Sequence, residues 1–387
     1  MTVEHNNKTI DAVAQITKQG FVFLFDHENG EPLFPIEEVP APPSDIPGEE
    51  AWPTQPRPVK PVPFARQRFT VEDVNTFASN KEELIEKLKV SRSEGPFTPL
   101  SKRGTVIFPG LDGGAEWGGA AVDERGVMYV NSNEMPWLIS LDEASENAAS
   151  VHPGARLYAT YCASCHGKER KGNLATGFPS LLSIEKRWPR NHVLKVIASG
   201  KGMMPAFATM TEDQRSTLVA YLYGDAFKPT KPDKEEVSTQ PKANEKTYRI
   251  SGYSKFLDAD GLPAIKPPWG TLNAIDLNTG DYLWKIPYGE YPELMAKGLP
   301  VTGAESYGGP VVTAGGLLFI AGTKDKKFRA YHRMTGKLLW ETVLPAAAFA
   351  TLSTYEVKGK QYVVLACGGT KLGAEKGESY VAFALPD

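Results

Sequence analysis

Residues 162–166 carry two thiols and an imidazole at a spacing that suits covalent attachment to a planar ring. The run reads Cys-Ala-Ser-Cys-His, so Cys162 and Cys165 are three positions apart and His166 follows directly. On a helix, residues three and four positions apart share one face. The two thiols can therefore each bond one vinyl group of the same porphyrin, while His166 directs its imidazole at the iron. The C-x-x-C-H spacing is the attachment signature of a c-type haem.

A second axial ligand for the iron is predicted further along the chain. The glycine-rich segment 200–207 reads Gly-Lys-Gly-Met-Met-Pro-Ala-Phe. A methionine thioether can ligate haem iron on the face opposite a histidine and raises the reduction potential of the iron. We predict that Met204, which precedes the proline, is this ligand, and Met203 is the fallback candidate.

Helices are predicted on both sides of these ligands. Pro153 suits the first turn of a helix that continues to Tyr161. Thr211 and Gln214 form a capping box at the start of a later helix, and Gly224 follows the end of that helix. The block from residue 150 to residue 228 therefore resembles a class I cytochrome c domain, which is an all-α fold.

Two other chemistries are open to the cysteine pair. A zinc site would need His152 or His192 as further ligands, because the one remaining cysteine, Cys367, lies far along the chain. Those spacings match no familiar zinc module. A redox dithiol would be expected in a βαβ context, which the surrounding sequence lacks. Haem c is therefore favoured, and Cys367 is predicted to be a small buried residue.

The composition of the chain limits the function classes that need to be considered. The 387 residues are enough for two or three domains, and the net charge of −3 gives no reason to expect a nucleic-acid partner. No apolar run has the length of a membrane span, and the first residues do not have the pattern of a signal peptide. Covalent haem attachment in bacteria occurs outside the cytoplasm. We therefore expect a periplasmic protein, and a chain that is the downstream part of a longer exported one.

The sequence outside the cytochrome block is dominated by strand patterns. Residues 8–26 alternate as a hairpin about a turn at Lys18-Gln19-Gly20. Residues 35–105 are rich in proline and are predicted to form a long surface excursion with one helical patch near residues 80–89. We predict a β domain over residues 1–148 and 247–387, with the cytochrome domain at 150–228 inserted in it. Residues 229–246 are predicted to be a solvated linker.

A repeated motif, A-x-D-x-x-T-G-x-x-x-W, indicates how the β domain is built. The copies are residues 274–284, residues 330–340 with His332 at the Asp position, and, more weakly, residues 24–34. Each copy predicts a strand, a tight turn and a return strand. The aromatic residue that ends each copy is predicted to dock on the neighbouring unit: Trp284, Trp340 and Phe34. Sheets that repeat radially in this way form a propeller.

The repeat resembles that of the pyrroloquinoline quinone (PQQ) dehydrogenases, most closely the quinoprotein glucose dehydrogenase group. The runs at 308–319, 362–369 and 380–387 strengthen the resemblance. It implies an all-β, eight-bladed propeller, of which this chain is about the second half, and it implies PQQ and Ca²⁺ as cofactors beside haem c. Family members have a catalytic Asp just upstream of the hairpin that opens this chain and draw Ca²⁺ ligands from earlier blades. The catalytic base is therefore unknown, and the calcium site is expected to be incomplete.

The resemblance assigns three residues to the quinone cofactor. Lys18 matches a lysine that contacts the quinone oxygens, where a cation would stabilise the charge that develops on reduction. Asn131 matches an asparagine that faces the cofactor, and Trp117 lies in a loop near the same funnel. The alternatives are a solvent-exposed turn lysine for Lys18, a strand-end residue for Asn131 and a packing aromatic for Trp117.

The function implied by the resemblance is that of a quinohaemoprotein dehydrogenase. It would oxidise a sugar or alcohol, with a glucose-like substrate favoured, and would pass electrons through haem c to a quinone or cytochrome acceptor. Peripheral membrane association and a missing N-terminal propeller half are further expectations. The rival hypotheses are a non-catalytic electron carrier on a partial propeller scaffold and a pure interaction propeller. Because a partial propeller exposes strand edges, the β part is expected to be marginal, oligomeric or aggregation-prone.

Overall fold

The chain folds into two compact units that are interleaved in sequence. The computed structural model describes residues 1–143, 152–173, 177–225 and 248–385. One unit comprises Met1–Leu138 and Lys255–Asp387, and the other comprises Ile139–Ser254. The second unit is thus inserted in the first and is not appended to it. The predicted linker at 229–246 lies outside the described residues.

The secondary structure is mostly β in the first unit and mostly α in the second. In chain order the strands are β1 (Thr2–His5), β2 (Lys8–Ile16), β3 (Val22–Asp26), β4 (Ile36–Pro40), β5 (Thr54–Pro58), β6 (Thr105–Ile107), β7 (Ala121–Val122), β8 (Val127–Asn133), β9 (Trp137–Ile139), β10 (Leu141–Glu143), β11 (Tyr248–Ile250), β12 (Gly270–Asp276), β13 (Asp281–Pro287), β14 (Val311–Val312), β15 (Leu317–Ile320), β16 (Lys327–His332), β17 (Leu338–Val343), β18 (Ser353–Val357), β19 (Lys360–Cys367) and β20 (Ser379–Ala384). The helices are α1 (Lys81–Val90), α2 (Pro153–Tyr161), α3 (Ala163–His166), α4 (Arg190–Ser199), α5 (Glu212–Leu222) and α6 (Pro292–Met295). Within the ranges that the structure covers, no helix is both long and apolar enough to cross a bilayer.

The larger sheets of the first unit follow one another along the chain. Their strand orders are β1-β2-β3, β7-β8-β12-β13, β14-β15-β16-β17 and β18-β19-β20. In the second of these sheets β8 pairs with β12, from Asn133 opposite Gly270 to Val127 opposite Asp276. The inserted unit therefore interrupts a single four-stranded sheet between its second and third strands.

Apolar side chains are shared between successive sheets. The shared clusters are Leu24 with Met128 and Ile275, then Leu272 with Leu318 and Ile320, and finally Phe328 with Leu365 and Cys367. Sheets that bury their faces against the next sheet in this way have the packing of propeller blades. Cys367 is fully buried, as its sequence context predicts.

The copies of the repeated motif have the same local structure. The alanine faces the tryptophan, and the pairing register shifts directly after it, at Ala274 opposite Trp284 and at Ala330 opposite Trp340. The turn glycine donates its N–H to the carbonyl at the Asp position in all three copies: Gly30 to Asp26 at 2.9 Å, Gly280 to Asp276 at 2.7 Å and Gly336 to His332 at 3.0 Å. His332 can replace the aspartate here because the backbone carbonyl makes this bond.

The aromatic residue of each copy packs on the next sheet. Trp284 donates its indole N–H to the carbonyl of Arg333 at 2.9 Å. A Cβ on Gly336 would lie 2.9 Å from the Trp284 ring, so only glycine leaves room for this docking. The Trp340 ring lies 5.6 Å from the ring of Phe383 on β20. The predicted docking of the repeat aromatics is thus present at Trp284 and Trp340.

The proline-rich segment is not a simple surface excursion, and that prediction was wrong. α1 forms where a helical patch was predicted, but β4 and β5 also pair as a hairpin. Apolar residues of the segment build a core with the chain that follows the insertion: Phe69, Leu84, Leu88, Val106, Phe108, Ile265 and Trp269. The strands β4 and β5 were not predicted because they contain Pro40, Pro56 and Pro58, and proline disfavours the interior of a strand.

The inserted unit is a small helical domain around one core. A Cβ on Gly154 of α2 would lie 2.4 Å from the carbonyl oxygen of Thr217 and 2.5 Å from Cβ of Tyr221, so α2 and α5 cross in direct contact. The capping box is formed: Thr211 accepts from the N–H of Gln214 at 3.2 Å, and the Gln214 amide oxygen accepts from the N–H of Thr211 at 2.9 Å. Strands β10 and β11 pair antiparallel and hold the two ends of the unit together.

Candidate functional site

The C-x-x-C-H run lies on a short helix whose histidine is oriented by a backbone carbonyl. Cys162 is the N-cap of α3, which ends at His166. The Nδ1 atom of His166 lies 2.8 Å from the carbonyl oxygen of Pro179. A carbonyl can only accept, so Nδ1–H donates and the lone pair of Nε2 is left for a metal, as is usual for ligating histidines. Burial lowers the pKa of His166, which keeps the imidazole neutral, as a ligand must be.

Met204 is held in a tight turn and packs on the core that contains Cys162. The backbone N–H of Met204 donates to the carbonyl of Lys201 at 3.1 Å, and the Lys201 N–H donates to the Met204 carbonyl at 3.0 Å. The Met204 side chain contacts the hydrophobic core of the inserted unit, to which Cys162 belongs. Met203, in contrast, is 57% exposed. This environment favours Met204 over Met203 as the second ligand.

The structure does not favour a zinc site or a redox dithiol at the cysteine pair. His152 accepts a bond from the N–H of Gly154 through Nδ1 at 2.9 Å, and the His192 ring stacks on Trp188 with centroids 4.4 Å apart. Over the ranges that the structure covers, no cluster of three or more His, Cys, Asp or Glu side chains is placed to hold a metal ion. Burial raises the pKa of Cys162 to about 12, which is opposite to the acidic thiol of a redox dithiol.

The side chains present therefore fit a covalently bound haem. Cys162, the N-cap of α3, lies within one helical turn of Cys165 and His166, and all the cysteines are free thiols. The thioether of Met204 approaches the same apolar core. Two thiols, an oriented neutral imidazole and a thioether are the donor set that a c-type haem requires.

Lys18 lies in the turn between β2 and β3 and is tied to a glycine-rich loop at residues 110–119. Its Nζ donates to the carbonyl of Leu111 at 2.8 Å. Its own carbonyl accepts from the N–H of Gly114 at 2.7 Å. The ammonium group is exposed, so it remains accessible to a ligand.

Asn131 and Trp117 have very different environments. Asn131 is 4% exposed, and its Nδ2 donates to Oγ of Ser306 at 2.8 Å. Trp117, on the loop 110–119, is 67% exposed. Asn133, two positions beyond Asn131, donates to Oε1 of Glu116 at 3.2 Å and to the carbonyl of Ser306 at 3.1 Å. The hydrogen bond between Asn133 and Glu116 thus links the loop of Trp117 to the end of β8. Asn131, in contrast, is hydrogen-bonded to Ser306.

Sequence reasoning missed a cluster of charged residues beside these positions. Lys255 is almost fully buried, and its Nζ lies 2.6 Å from Oε1 of Glu305 and 3.7 Å from Oδ2 of Asp112. Burial and the nearby charge of Asp112 raise the pKa of Glu116 to about 8, against the opposing effects of Lys371 and Lys18. These residues come from distant segments, so the only local signal was the position of Glu116 next to Trp117.

The cluster has the chemistry to bind an anionic, planar cofactor such as PQQ, which carries a quinone and three carboxylates. Lys18 and Lys371 supply ammonium groups, Asn133 supplies an amide, and Trp117 supplies an exposed aromatic face. The covered part of the chain contains no cluster of three or more acidic, His or Cys side chains that could hold Ca²⁺. We therefore assign no step to calcium.

Comparisons with known proteins agree with the two-part architecture. The PQQ family model, described as glucose/ethanol/alcohol dehydrogenase, beta-propeller domain, matches residues 1–172 and 201–363. A second model, described as cytochrome C oxidase, cbb3-type, subunit III, matches residues 149–222. The first match covers far more than half of the chain.

Individual relatives are similar over nearly all of the chain or over part of it. The quinoprotein glucose dehydrogenase of Escherichia coli (strain K12) is 30% identical over 402 residues, which cover 99% of this chain and 39% of that protein. The quinohemoprotein alcohol dehydrogenase of Comamonas testosteroni is 46% identical over 115 residues, 30% of this chain and 14% of that protein. The crystal structure of the quinohemoprotein alcohol dehydrogenase from Comamonas testosteroni has a TM-score of 0.42 at 17% identity, covering 95% of this chain and 33% of that one.

The chain spans 39% of the length of the glucose dehydrogenases that it matches nearly end to end. The successive sheets with shared cores and docked aromatics are those of a propeller, and the cytochrome match lies within the inserted unit. The fold class and family predicted from the sequence are thereby confirmed. This chain belongs to the PQQ glucose/ethanol/alcohol dehydrogenase β-propeller family and carries a cytochrome-type domain inserted in one propeller blade.

Proposed function

We propose that the chain is the electron-transferring part of a periplasmic quinohaemoprotein dehydrogenase that oxidises a sugar or an alcohol. A glucose-like substrate is favoured because quinoprotein glucose dehydrogenases are among the relatives matched over nearly the whole chain. The observation that carries the proposal is the insertion of an oriented C-x-x-C-H helix within one blade of a quinoprotein propeller. Electrons are proposed to leave through haem c to a quinone or cytochrome, with peripheral membrane association.

The residues of this chain form two proposed sites, one for PQQ and one for haem c. A bound PQQ supplies a two-electron quinone, and a bound haem c supplies a one-electron carrier. Lys18 provides a positive charge where the reduced quinone becomes more negative. Cys162 and Cys165 would attach the haem, and His166 and Met204 would hold its iron. Because donor and acceptor belong to one chain, transfer between them needs no diffusive encounter.

A non-catalytic electron-transfer protein is the second candidate. It is favoured by the lack, over the ranges that the structure covers, of a metal-binding cluster that could hold Ca²⁺. In this case the propeller sheets would serve as a scaffold or docking surface, and only the haem would accept and donate electrons.

Reduction of the haem by substrate separates the two candidates. The chain is matured with haem in a bacterial periplasm, oxidised, and supplied with PQQ, Ca²⁺ and then glucose while the α-band of reduced haem is recorded. Dithionite in the same sample reports the total haem. Reduction by glucose would support the dehydrogenase and would place a working base within this chain, contrary to its expected position upstream, whereas reduction by dithionite alone would favour the non-catalytic carrier. A protein without any haem spectrum would refute the central assignment.

The assignment of Met204 has a matched control in its neighbour. We expect Met204→Ala to lower the haem midpoint potential by on the order of 0.1 V, a fraction of the range that axial ligands span. Met203→Ala removes the same side chain from an exposed position and should leave the potential unchanged. A redox titration of both variants would show the reverse order if Met203 is the ligand.

A further inference from the structure

Lys371 is partly buried, which lowers its pKa, and among the described residues its ammonium group has no direct anionic partner. Its Nζ lies 3.4 Å from the centroid of the Tyr307 ring and 5.6 Å from the centroid of the Trp117 ring. An ammonium over an aromatic face is attracted by the ring quadrupole. The Lys371 ammonium contacts both rings, and it forms no ion pair with a carboxylate of the described residues.

The backbone on both sides of Lys371 is in an unfavourable conformation. Thr370 has φ +68° and Leu372 has φ +55°, which is the left-handed region that residues other than glycine rarely adopt. The loop is fixed by bonds from the Gly369 N–H to the Ala347 carbonyl and from the Ala374 N–H to the Lys371 carbonyl, both at 2.9 Å. Strain that is maintained by surrounding structure is concentrated at ligand-binding positions.

Lys371 and Lys18 share a neighbour in Glu116. Both ammonium groups act to lower the pKa of Glu116, but burial and Asp112 prevail and raise that pKa to about 8. Glu116 is therefore mostly protonated near neutral pH, and the other carboxylates that act on Lys371 are Asp112 and Glu305. The loop of Trp117 thus places an exposed aromatic ring beside the ammonium group of Lys371.

We propose that Lys371 is a second cationic anchor of the quinone cofactor and binds a carboxylate of PQQ beside the Lys18 contact. This inference rests on the proposed function, because it takes PQQ as the ligand. A carboxylate from the cofactor gives the Lys371 ammonium the charged hydrogen-bond partner that the described part of the chain does not supply. Trp117 and Tyr307 hold the ammonium in position before the cofactor arrives.

Equilibrium binding of PQQ and of its trimethyl ester to the full chain tests this role. The ester keeps the quinone ring and removes the carboxylate charges. Binding is followed by quenching of tryptophan fluorescence in the wild type, Lys371→Met, Lys371→Arg and Lys376→Met. Lys376 lies on the same loop and pairs with Glu378, so its variant is the matched control.

We expect Lys371→Met to weaken PQQ binding by about 10-fold or more, because a charged hydrogen bond is lost. Lys371→Arg should retain most of the affinity, and Lys376→Met all of it. The trimethyl ester should bind equally to the wild type and to Lys371→Met.

Three results would overturn the inference. Equal affinity of Lys371→Met and wild type for PQQ would do so and leave the proposed function intact. A parallel loss of affinity for the ester would assign Lys371 to local packing and not to carboxylate binding. A wild-type chain that does not bind PQQ would count against this inference and against the proposed quinone chemistry together.

Discussion

Glu116 is a carboxylic acid whose surroundings oppose its ionisation. The groups that face it are Asp112, Lys18, Lys371, Tyr307 and the amide of Asn133. Burial is the largest cause of its raised pKa, followed by the like charge of Asp112. A protonated carboxyl group forms no ion pair with the ammonium groups of Lys18 and Lys371, which leaves them available to an anionic ligand.

The raised pKa of Glu116 predicts a specific pH dependence of stability. The pKa is 4.5 in the unfolded chain and about 8 in the folded one. The folded state therefore binds more protons between these values, and the free energy of unfolding falls as pH rises from 4.5 through 8. We expect Glu116→Gln to flatten this dependence in urea denaturation monitored by tryptophan fluorescence.

The exposed Glu356 on β18 provides the control for this experiment. Glu356→Gln should reproduce the wild-type pH profile. An unchanged profile in Glu116→Gln would show that Glu116 ionises normally in the folded protein.

At the scale of elements, the crossing of α2 and α5 depends on the missing side chain at Gly154. The backbone of α2 lies against Thr217 and Tyr221 at this position, where any Cβ would overlap. α2 leads directly into Cys162 and α3. The crossing therefore positions the helix that bears the C-x-x-C-H run.

We expect Gly154→Val to destabilise the inserted unit by about 1–3 kcal/mol through overpacking. Ala155→Val introduces the same β-branched side chain at the next, less buried position of α2 and should cost much less. Urea denaturation followed by the helical circular dichroism signal compares the two. Similar losses in both variants would mean that helix propensity, and not the crossing, determines the effect.

The blades are also elements whose association depends on single residues. Trp284 fits against Gly336 of the next sheet because glycine leaves space for the indole ring. The same arrangement of turn glycine and aromatic recurs in the weaker copy, where a Cβ on Gly280 would lie 3.2 Å from the ring of Phe34. The docking is thus a property of the motif, repeated along the chain.

For the whole molecule, the last sheet presents an exposed edge. β20 pairs with β19 in a three-stranded sheet, whereas the two preceding sheets have four strands. Tyr380 at the start of β20 is 83% exposed, and Leu385 just beyond it is 78% exposed. An exposed apolar edge strand is a template for pairing with another chain.

We expect the purified chain to self-associate at high concentration and Tyr380→Lys to weaken this association roughly threefold or more, because charged residues protect strand edges. Val13→Lys places the same charge at an exposed position of β2 that pairs with Phe25 of β3, away from β20, and should have little effect. Sedimentation velocity over a concentration series measures both. A wild-type chain that remains monomeric throughout would contradict this prediction.

The sequence by itself determined the features that depend on neighbouring residues. The C-x-x-C-H spacing, the capping box at Thr211 and the turn glycines of the repeat act over a few positions, and their geometry follows from the backbone. The repeat also predicted which aromatic residues dock, because the motif carries both the ring and the glycine that receives it. Family and fold class could therefore be predicted before any tertiary contact was known.

Only the tertiary structure decided which distant residues meet. The bond from His166 to the Pro179 carbonyl, the core of the proline-rich segment and the pairing of β8 with β12 across the insertion join parts of the chain that share no local pattern. The cluster of Asp112, Glu116, Lys255, Glu305 and Lys371 is likewise assembled from separate loops. Charged residues in loops are individually ordinary in sequence, and their chemistry arises only when folding buries them together.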